Sequence, residues 1–257
     1  MKTWMVTGLH DRRWLENTLA NFARQTRSDK RLIIVENGKG LGCAADCIGL
    51  PGVTVLHSEP GAAQPLNTAL GWLREHASPD DWFAKCDADD AYFSGYLDSI
   101  QEAVDAGADY CGRCDLFIRT QSGHLWYQEQ GLRGFCNGVA NGPTLCARIG
   151  TAMEFEIVER WGEDLLWQHA MQQAGRRFYA LPPEGMAYQR WPDNAHTWPC
   201  TDDELIEGCT VPTYDLGLYN TDIVDGIVPR PKGTLLEPVP FTGGMPMRIL
   251  REQLGAA

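Results

Sequence analysis

Asp81-Trp82-Phe83-Ala84-Lys85-Cys86-Asp87-Ala88-Asp89-Asp90 decides how the rest of the chain is read. It opens as a short apolar run of strand length and ends in three carboxylates within four residues. Carboxylates that close repel one another, and burying them without compensation costs several kcal/mol. The cheapest compensation is a divalent cation, and an all-oxygen set of donors suits Mg²⁺ or Mn²⁺ better than zinc. The competing reading is a solvated acidic turn capping the next helix, since Asp is favoured in turns and at N-caps. On Asp-x-Asp alone the solvated turn is the better reading, because the tripeptide is common; the order of the surrounding elements reverses that.

Upstream, Lys2 to Thr7 reads as a first strand, followed by the loop Gly8 to Arg13 and a helix with Leu15, Leu19 and Phe22 on one face. Arg31 to Val35 is a β-branched run typical of a strand buried on both faces, and it ends in Glu36-Asn37-Gly38. Val53 to His57 is a shorter strand, and Leu66, Ala69, Leu70 and Leu73 mark the helix before the acidic stretch. Leu97, Ile100 and Val104 give a further helical stripe after it. Strands alternating with helices of this length predict an α/β fold, with a mostly parallel central sheet flanked by helices. Ligands of such sheets sit at the carboxyl ends of the strands. The loop after Thr7, Glu36-Asn37 and Asp87 to Asp90 all occupy such ends. The chain has neither Gly-x-Gly-x-x-Gly nor a Walker-type Gly-Lys-Ser/Thr, which argues against NAD and against a P-loop NTPase.

From Ala108 the texture changes. Tyr110 to Arg119 and His124 to Gln128 read as strands around a Gln121-Ser122-Gly123 turn. Glu163-Asp164 opens a helix with Leu166, Ala170 and Ala174 on one side and Gly175 as its C-cap. Beyond Pro182 no long periodic segment occurs until Met247 to Leu254.

The 257 residues suit one large domain or one and a half, and 44% hydrophobic with 22% charged residues is ordinary globular composition. The net charge of -12 opposes indiscriminate binding to phosphate backbones. No apolar run approaches transmembrane length and no charged-then-apolar leader follows Met1, so the expectation is a soluble, cytoplasmic protein. The nine cysteines are scattered among apolar and small residues, as at Cys86, Cys136 and Cys146, which suits reduced, buried thiols. Cys111-x-x-Cys114 lacks a second ligand pair and reads as structural.

The order of these features resembles the inverting glycosyltransferases of family two, which have the GT-A nucleotide-diphospho-sugar transferase fold. The resemblance is carried by Leu15-Glu16-Asn17-Thr18-Leu19 through Gln25, the strand Leu32 to Asn37, and Asn67 in the helix before the acidic strand. Asp87-Ala88-Asp89-Asp90 with Tyr96-Leu97, and Gly162-Glu163-Asp164 opening a helix that ends at Gly175, complete it. Ser94 stands where the family usually has proline, and Glu36 where aspartate is more usual. The last quarter has no counterpart. The resemblance implies a nucleotide-sugar-binding half over 1–107, an acceptor-binding half over 108–199, and an extension over 200–257 that packs on the core or closes the site.

It also implies roles. Thr7 and Glu36 would hold the base and ribose of a nucleotide sugar, with a UDP-sugar the default, and Asn67 belongs to the same donor side. Asp87 would lie near ribose and phosphate, and Asp89, with Asp87 and His196, would hold the Mn²⁺ or Mg²⁺ that bridges the diphosphate. Arg190 would pair with the diphosphate, or simply stack between Tyr188 and Trp191. Asp164 would be the general base toward an acceptor hydroxyl, with Glu163 beside it as a supporting or acceptor contact. Trp126, Tyr127, Trp161, Trp191 and Trp198 offer aromatic faces suited to sugar rings, although most such residues are core. A glycan or small-molecule acceptor is favoured. Arg113, Arg119, Arg133 and Arg148 keep a hydroxylated DNA base as a minority possibility. The alternatives are a sugar-nucleotide nucleotidyltransferase, disfavoured because the first loop has one glycine before His10-Asp11-Arg12-Arg13, and a non-catalytic nucleotide-sugar-binding module.

Overall fold

The computed structural model describes residues 1–38, 40–128, 140–158, 162–183, 185–191, 213–218 and 234–236. The amino-terminal part is β1 (Thr3–Leu9), α1 (Leu15–Arg24), β2 (Lys30–Asn37), α2 (Cys43–Cys47), β3 (Val53–Ser58), α3 (Gln64–His76) and β4 (Trp82–Lys85). The short β5 (Ala91–Tyr92) and α4 (Ile100–Asp105) follow. Next come β6 (Tyr110–Arg113), β7 (Leu116–Arg119), β8 (His124–Gln128), β9 (Cys146–Arg148), α5 (Glu163–Gln173), β10 (Phe178–Leu181) and β11 (Met186–Gln189). The last two strands are β12 (Thr213–Leu218) and β13 (Thr234–Leu236).

These strands form an eight-stranded sheet in the order β13-β10-β6-β9-β4-β1-β2-β3 and a five-stranded sheet in the order β12-β8-β7-β11-β5. In the larger sheet β3, β2, β1 and β4 run parallel, while β9 is inserted antiparallel between β4 and β6. The expected α/β architecture with a mostly parallel, helix-flanked sheet is what forms. Strands from before and after residue 108 share that one sheet.

Side-chain alternation in the large sheet divides the core around it in two. Met5, Leu32, Ile34, Trp82 and Ala84 face one cluster together with Leu15 of α1 and Ile100 of α4. Trp4, Val6, Ile33, Val35 and Phe83 face the other, with Leu66, Leu70 and Leu73 of α3 and Trp167 and Met171 of α5. Because successive residues of a strand point to opposite faces, a strand covered on both sides must be apolar throughout, as Leu32 to Val35 is. Trp167 centres the second cluster, stacked on Phe155 at 5.0 Å and edge-on to Tyr110 at 5.7 Å.

Three expectations change. The stretch Tyr110 to Arg119 is not one strand: it breaks at Cys114-Asp115, so β6 belongs to the large sheet and β7 to the small one. The stripe Leu166, Ala170 and Ala174 is not the buried face of α5, which buries Leu166, Trp167, Gln168, His169 and Met171; the bulk of Trp167 sets the orientation. Gly175 lies one residue beyond the Ala174 cap at φ 70°, the left-handed position a glycine accepts without strain. The segment Met247 to Leu254, like most of 200–257, lies outside the described residues.

Among the described residues the cysteines behave as their contexts suggest; Cys136 lies outside those residues. Cys43, Cys47, Cys86, Cys111, Cys114 and Cys146 are free and buried. Burial, reinforced by the Glu36 carboxylate, pushes the Cys43 thiol up to about 11, and a thiol so placed is chemically quiet. Among the described residues no helix is long and apolar enough to cross a membrane.

Candidate active site

The acidic turn leaves β4 at its carboxyl end, beside the carboxyl end of β1. It is held there by a polar ladder along α1. Asn17 donates its amide to the carbonyls of Ala88 and Asp90 at 2.7 and 2.9 Å. One turn on, Asn21 donates to the Asp90 carbonyl at 2.8 Å and accepts from the Tyr92 N–H at 3.0 Å. A further turn on, Gln25 donates to the Phe93 carbonyl at 2.8 Å and accepts from the Leu97 N–H at 3.1 Å. Residues four apart share a helix face, so 17, 21 and 25 form one line. The buried residues of α1 are accordingly Leu15, Thr18 and Asn21, whereas the expected Leu19 and Phe22 are only half-buried. An irregular turn buried against a helix needs donors for its carbonyls, and that requirement overrides the apolar stripe. Replacing Asn21 by alanine removes the side-chain acceptor of the Tyr92 N–H and leaves the Asp90 carbonyl to Asn17 alone. A loss of about 2 kcal/mol is expected, since one unsatisfied buried group costs roughly 1–3 kcal/mol. Urea unfolding of Asn21→Ala measures it.

The small sheet holds the turn from the other side. Asp90 is fully buried and its Oδ1 accepts from the Gln189 N–H at 2.8 Å, while Trp191 donates its indole N–H to the Asp89 carbonyl at 2.8 Å. The Trp191 ring lies 4.7 Å from that of Trp14. Burial lifts the Asp90 carboxyl well above the ordinary carboxylate range, and the Asp89 and Asp87 charges add to this. Asp90 is thus the member of the acidic triplet that tends to the neutral form and serves the framework. Asp87 and Asp89 are half-buried.

The centre of the site is a residue that sequence reading passed over. Lys85 is buried, and its Nζ lies 2.8 Å from Asp87 Oδ1. Burial alone would lower its pKa, but Asp87 first, then Asp164 and Glu163, hold the ammonium well above its ordinary value. Lys85 therefore joins the strand-end carboxylate Asp87 to Glu163 and Asp164 at the start of α5, two groups separated by 76 or more residues in sequence. The signal was present: residues i and i+2 of an extended chain project to the same side, so a lysine two before Asp87 is poised to pair with it.

Asp164 Oδ1 accepts from the Leu165 N–H at 2.8 Å, and its other oxygen packs against Gly142. A Cβ at Gly142 would stand 1.5 Å from Asp164 Oδ2, so only glycine admits the carboxylate there. Burial raises the Glu163 carboxyl above its usual value, the adjacent Asp164 charge adds to that, and Lys85 opposes it.

The remaining expected donor residues have the following surroundings. Thr7 is buried near the end of β1. Glu36 is buried, and its carboxylate accepts from the Leu41 and Cys43 N–H groups at 2.9 and 2.6 Å and sits 3.0 Å from His57 Nδ1. Burial would raise this carboxyl, yet those bonds and His57 leave it below its ordinary value; Glu36 thus shapes the loop into α2. Asn67 pairs both ends of its amide with the backbone of Phe155, at 2.8 and 2.7 Å, tethering α3. Arg190 is buried beside Tyr188, with Nη1 at 3.5 Å from the phenol oxygen. His196, Trp161, Trp198 and Arg133 lie outside the described residues. Arg113 is fully buried over the Tyr96 ring, and Arg148 pairs with Asp109 at 3.0 Å. Neither contributes a basic surface.

The donor set suits a hard divalent cation of the type that takes one or two carboxylates and draws its other ligands from substrate phosphates and water. Asp89 and the Asp87 oxygen outside the Lys85 pair are such donors. Among the described residues no three His, Cys, Asp or Glu side chains are grouped so that they could hold a metal ion by themselves.

No family model and no curated protein matches the sequence. Among solved structures, the chain is similar to S. aureus TarS 1-349, with 17% identity and a TM-score of 0.47 over 65% of this chain and 54% of that one. It is also similar to 4-diphosphocytidyl-2C-methyl-D-erythritol synthase, with 15% identity and a TM-score of 0.40 over 59% of this chain and 77% of that one. The chain thus spans about half the length of the TarS structure.

Proposed function

We propose that the chain is an inverting glycosyltransferase that moves a sugar from a nucleoside-diphosphate donor, a UDP-sugar before others, to an acceptor hydroxyl in the presence of Mn²⁺ or Mg²⁺. The observation that supports this reading most is the buried Lys85, which pairs with the strand-end carboxylate Asp87 and feels the charges of the helix-start carboxylates Asp164 and Glu163. A group-transfer site needs that juxtaposition; a solvated acidic turn does not.

In this reading Asp87 and Asp89 face the diphosphate side and would hold the divalent ion, which supplies Lewis-acid neutralisation of the leaving diphosphate. Asp164 accepts the proton of the acceptor hydroxyl as the oxygen attacks the anomeric carbon. Its Oδ1 is fixed by the Leu165 N–H, leaving Oδ2 to take the proton. Attack opposite the departing diphosphate inverts the anomeric centre. Glu163, whose carboxyl burial raises above its ordinary value, lies beside the base as a contact for the acceptor. Glu36 and Asn67 act through the loops they brace. A glycan or small-molecule acceptor is preferred over a DNA base, because Arg113 is buried and Arg148 is paired.

Calorimetric titration with a panel of nucleoside diphosphates and their sugars, each with Mn²⁺ and with EDTA, tests the donor half. One nucleotide should bind in a metal-dependent way, and Asp89→Ala should weaken it by about tenfold or more, the equivalent of about 1.4 kcal/mol. A folded protein that binds no member of the panel sinks the reading.

A further inference from the structure

The two sides of the site are joined by one buried hydroxyl that the chemistry above does not use. Tyr92, at the end of β5, is fully buried. Its backbone is fixed on both sides: the N–H donates to Asn21 Oδ1 at 3.0 Å, and β5 pairs with β11 opposite Met186. Its ring lies edge-on to Tyr96, with the centroids 4.7 Å apart. The hydroxyl is thereby aimed at two main-chain groups. It accepts from the Asp87 N–H at 2.7 Å and donates to the Pro143 carbonyl at 3.0 Å. Burial above all raises this phenol well above its ordinary value, so it keeps the proton that it donates. Pro143 belongs to the turn Gly142–Thr144, whose first residue packs against Asp164 Oδ2.

We propose that Tyr92 is a positioning residue that sets Asp164 by holding the Gly142–Thr144 turn to the main chain at Asp87. The proposal rests on the glycosyltransferase reading for the part that Asp164 plays. The two ends of the bridge are not equally free. The main chain around Asp87 is also held by the Cys86 N–H on the Val6 carbonyl at 2.9 Å and by Asn17 on the Ala88 carbonyl at 2.7 Å. Pro143 has no N–H to anchor it, and its carbonyl bonds to the Tyr92 hydroxyl. Removing the hydroxyl therefore frees the turn rather than the strand end. A relaxed turn no longer walls in Asp164 Oδ2, and the carboxylate then rotates away from the Leu165 N–H that holds Oδ1 at 2.8 Å. Being fully buried, Tyr92 acts through the turn and touches no reacting atom.

Tyr92→Phe removes one oxygen and keeps the ring. In amide hydrogen exchange of the full chain followed by NMR, the Leu165 N–H should exchange about tenfold faster or more in this variant, while the Ile33 N–H of β2 stays unchanged. With the donor that the calorimetric panel identifies, kcat should fall about tenfold or more with the donor KM within about twofold, because a displacement of about 1 Å costs on the order of 100-fold. Added to Asp164→Asn, Tyr92→Phe should cost less than about twofold further, since no base is left to position. An unchanged Leu165 amide in folded Tyr92→Phe overturns the proposal, as does an undiminished kcat or an equal cost in both backgrounds. If Tyr92→Phe does not fold, 4-fluorophenylalanine at this position, which fills the space of the oxygen but cannot donate, takes its place in every measurement. A wild-type protein that binds no nucleotide counts against the glycosyltransferase reading instead, and the Leu165 amide then judges Tyr92 by itself.

Discussion

Asp164→Asn is expected to lower the transfer rate by about 100-fold to 10,000-fold, the range contributed by a positioned general base, while leaving nucleotide binding within about twofold. The amide has nearly the same shape, so the hydrogen bond from the Leu165 N–H to Oδ1 can persist; what is lost is the capacity of Oδ2 to accept a proton. Single-turnover transfer, or donor hydrolysis where the acceptor is not in hand, together with calorimetry for binding, separates the two effects. A loss confined to binding would place Asp164 on the donor side and remove it as the base. A variant with undiminished turnover would return Asp164 to the role of a first-turn helix acid, which Asp commonly plays.

Gly142→Ala should have an effect of similar size from a residue with no chemistry of its own. The added methyl would stand 1.5 Å from Asp164 Oδ2 and 2.6 Å from its Cγ, so the carboxylate must rotate away or α5 must retreat. Displacing a reacting group by about 1 Å costs on the order of 100-fold in rate. The expected pattern is a fall in kcat of about that size with little change in KM for the donor. Because the clash is local, the unfolding midpoint should move far less than the rate. A normal kcat would mean that Asp164 works from another position.

The architecture was largely legible because burial on two faces leaves a plain trace: the runs at Leu32 to Val35 and at Trp82 to Ala84, and the spacing of Leu66, Ala69, Leu70 and Leu73, are what a covered parallel sheet and its helices require. Less legible were places where polar demands outrank the apolar pattern. The buried face of α1 carries Asn21 rather than a third leucine, since the turn at Ala88 to Tyr92 needs partners that no periodicity reveals. The break between β6 and β7 was hidden because Cys114-Asp115 interrupts an otherwise plausible strand by only two residues. The four-residue β11 was not foreseen, although it carries Gln189, whose backbone fixes Asp90. In the site, Lys85, which pairs with Asp87 and feels the charges of Asp164 and Glu163, read as an ordinary strand residue. Glu36 and Asn67, read as donor contacts, have their polar atoms engaged by the backbone of Leu41, Cys43 and Phe155.

The acidic turn belongs mechanically to both sheets at once. Its carboxylates emerge from β4 in the large sheet, yet β5 within the same segment pairs with β11, and Gln189 and Trp191 at the end of β11 hold Asp90 and Asp89. A shift of the small sheet is therefore transmitted to the turn through short, buried hydrogen bonds rather than through a compliant loop. Whatever displaces β11 must therefore carry the Asp89 backbone and the Asp90 carboxylate with it.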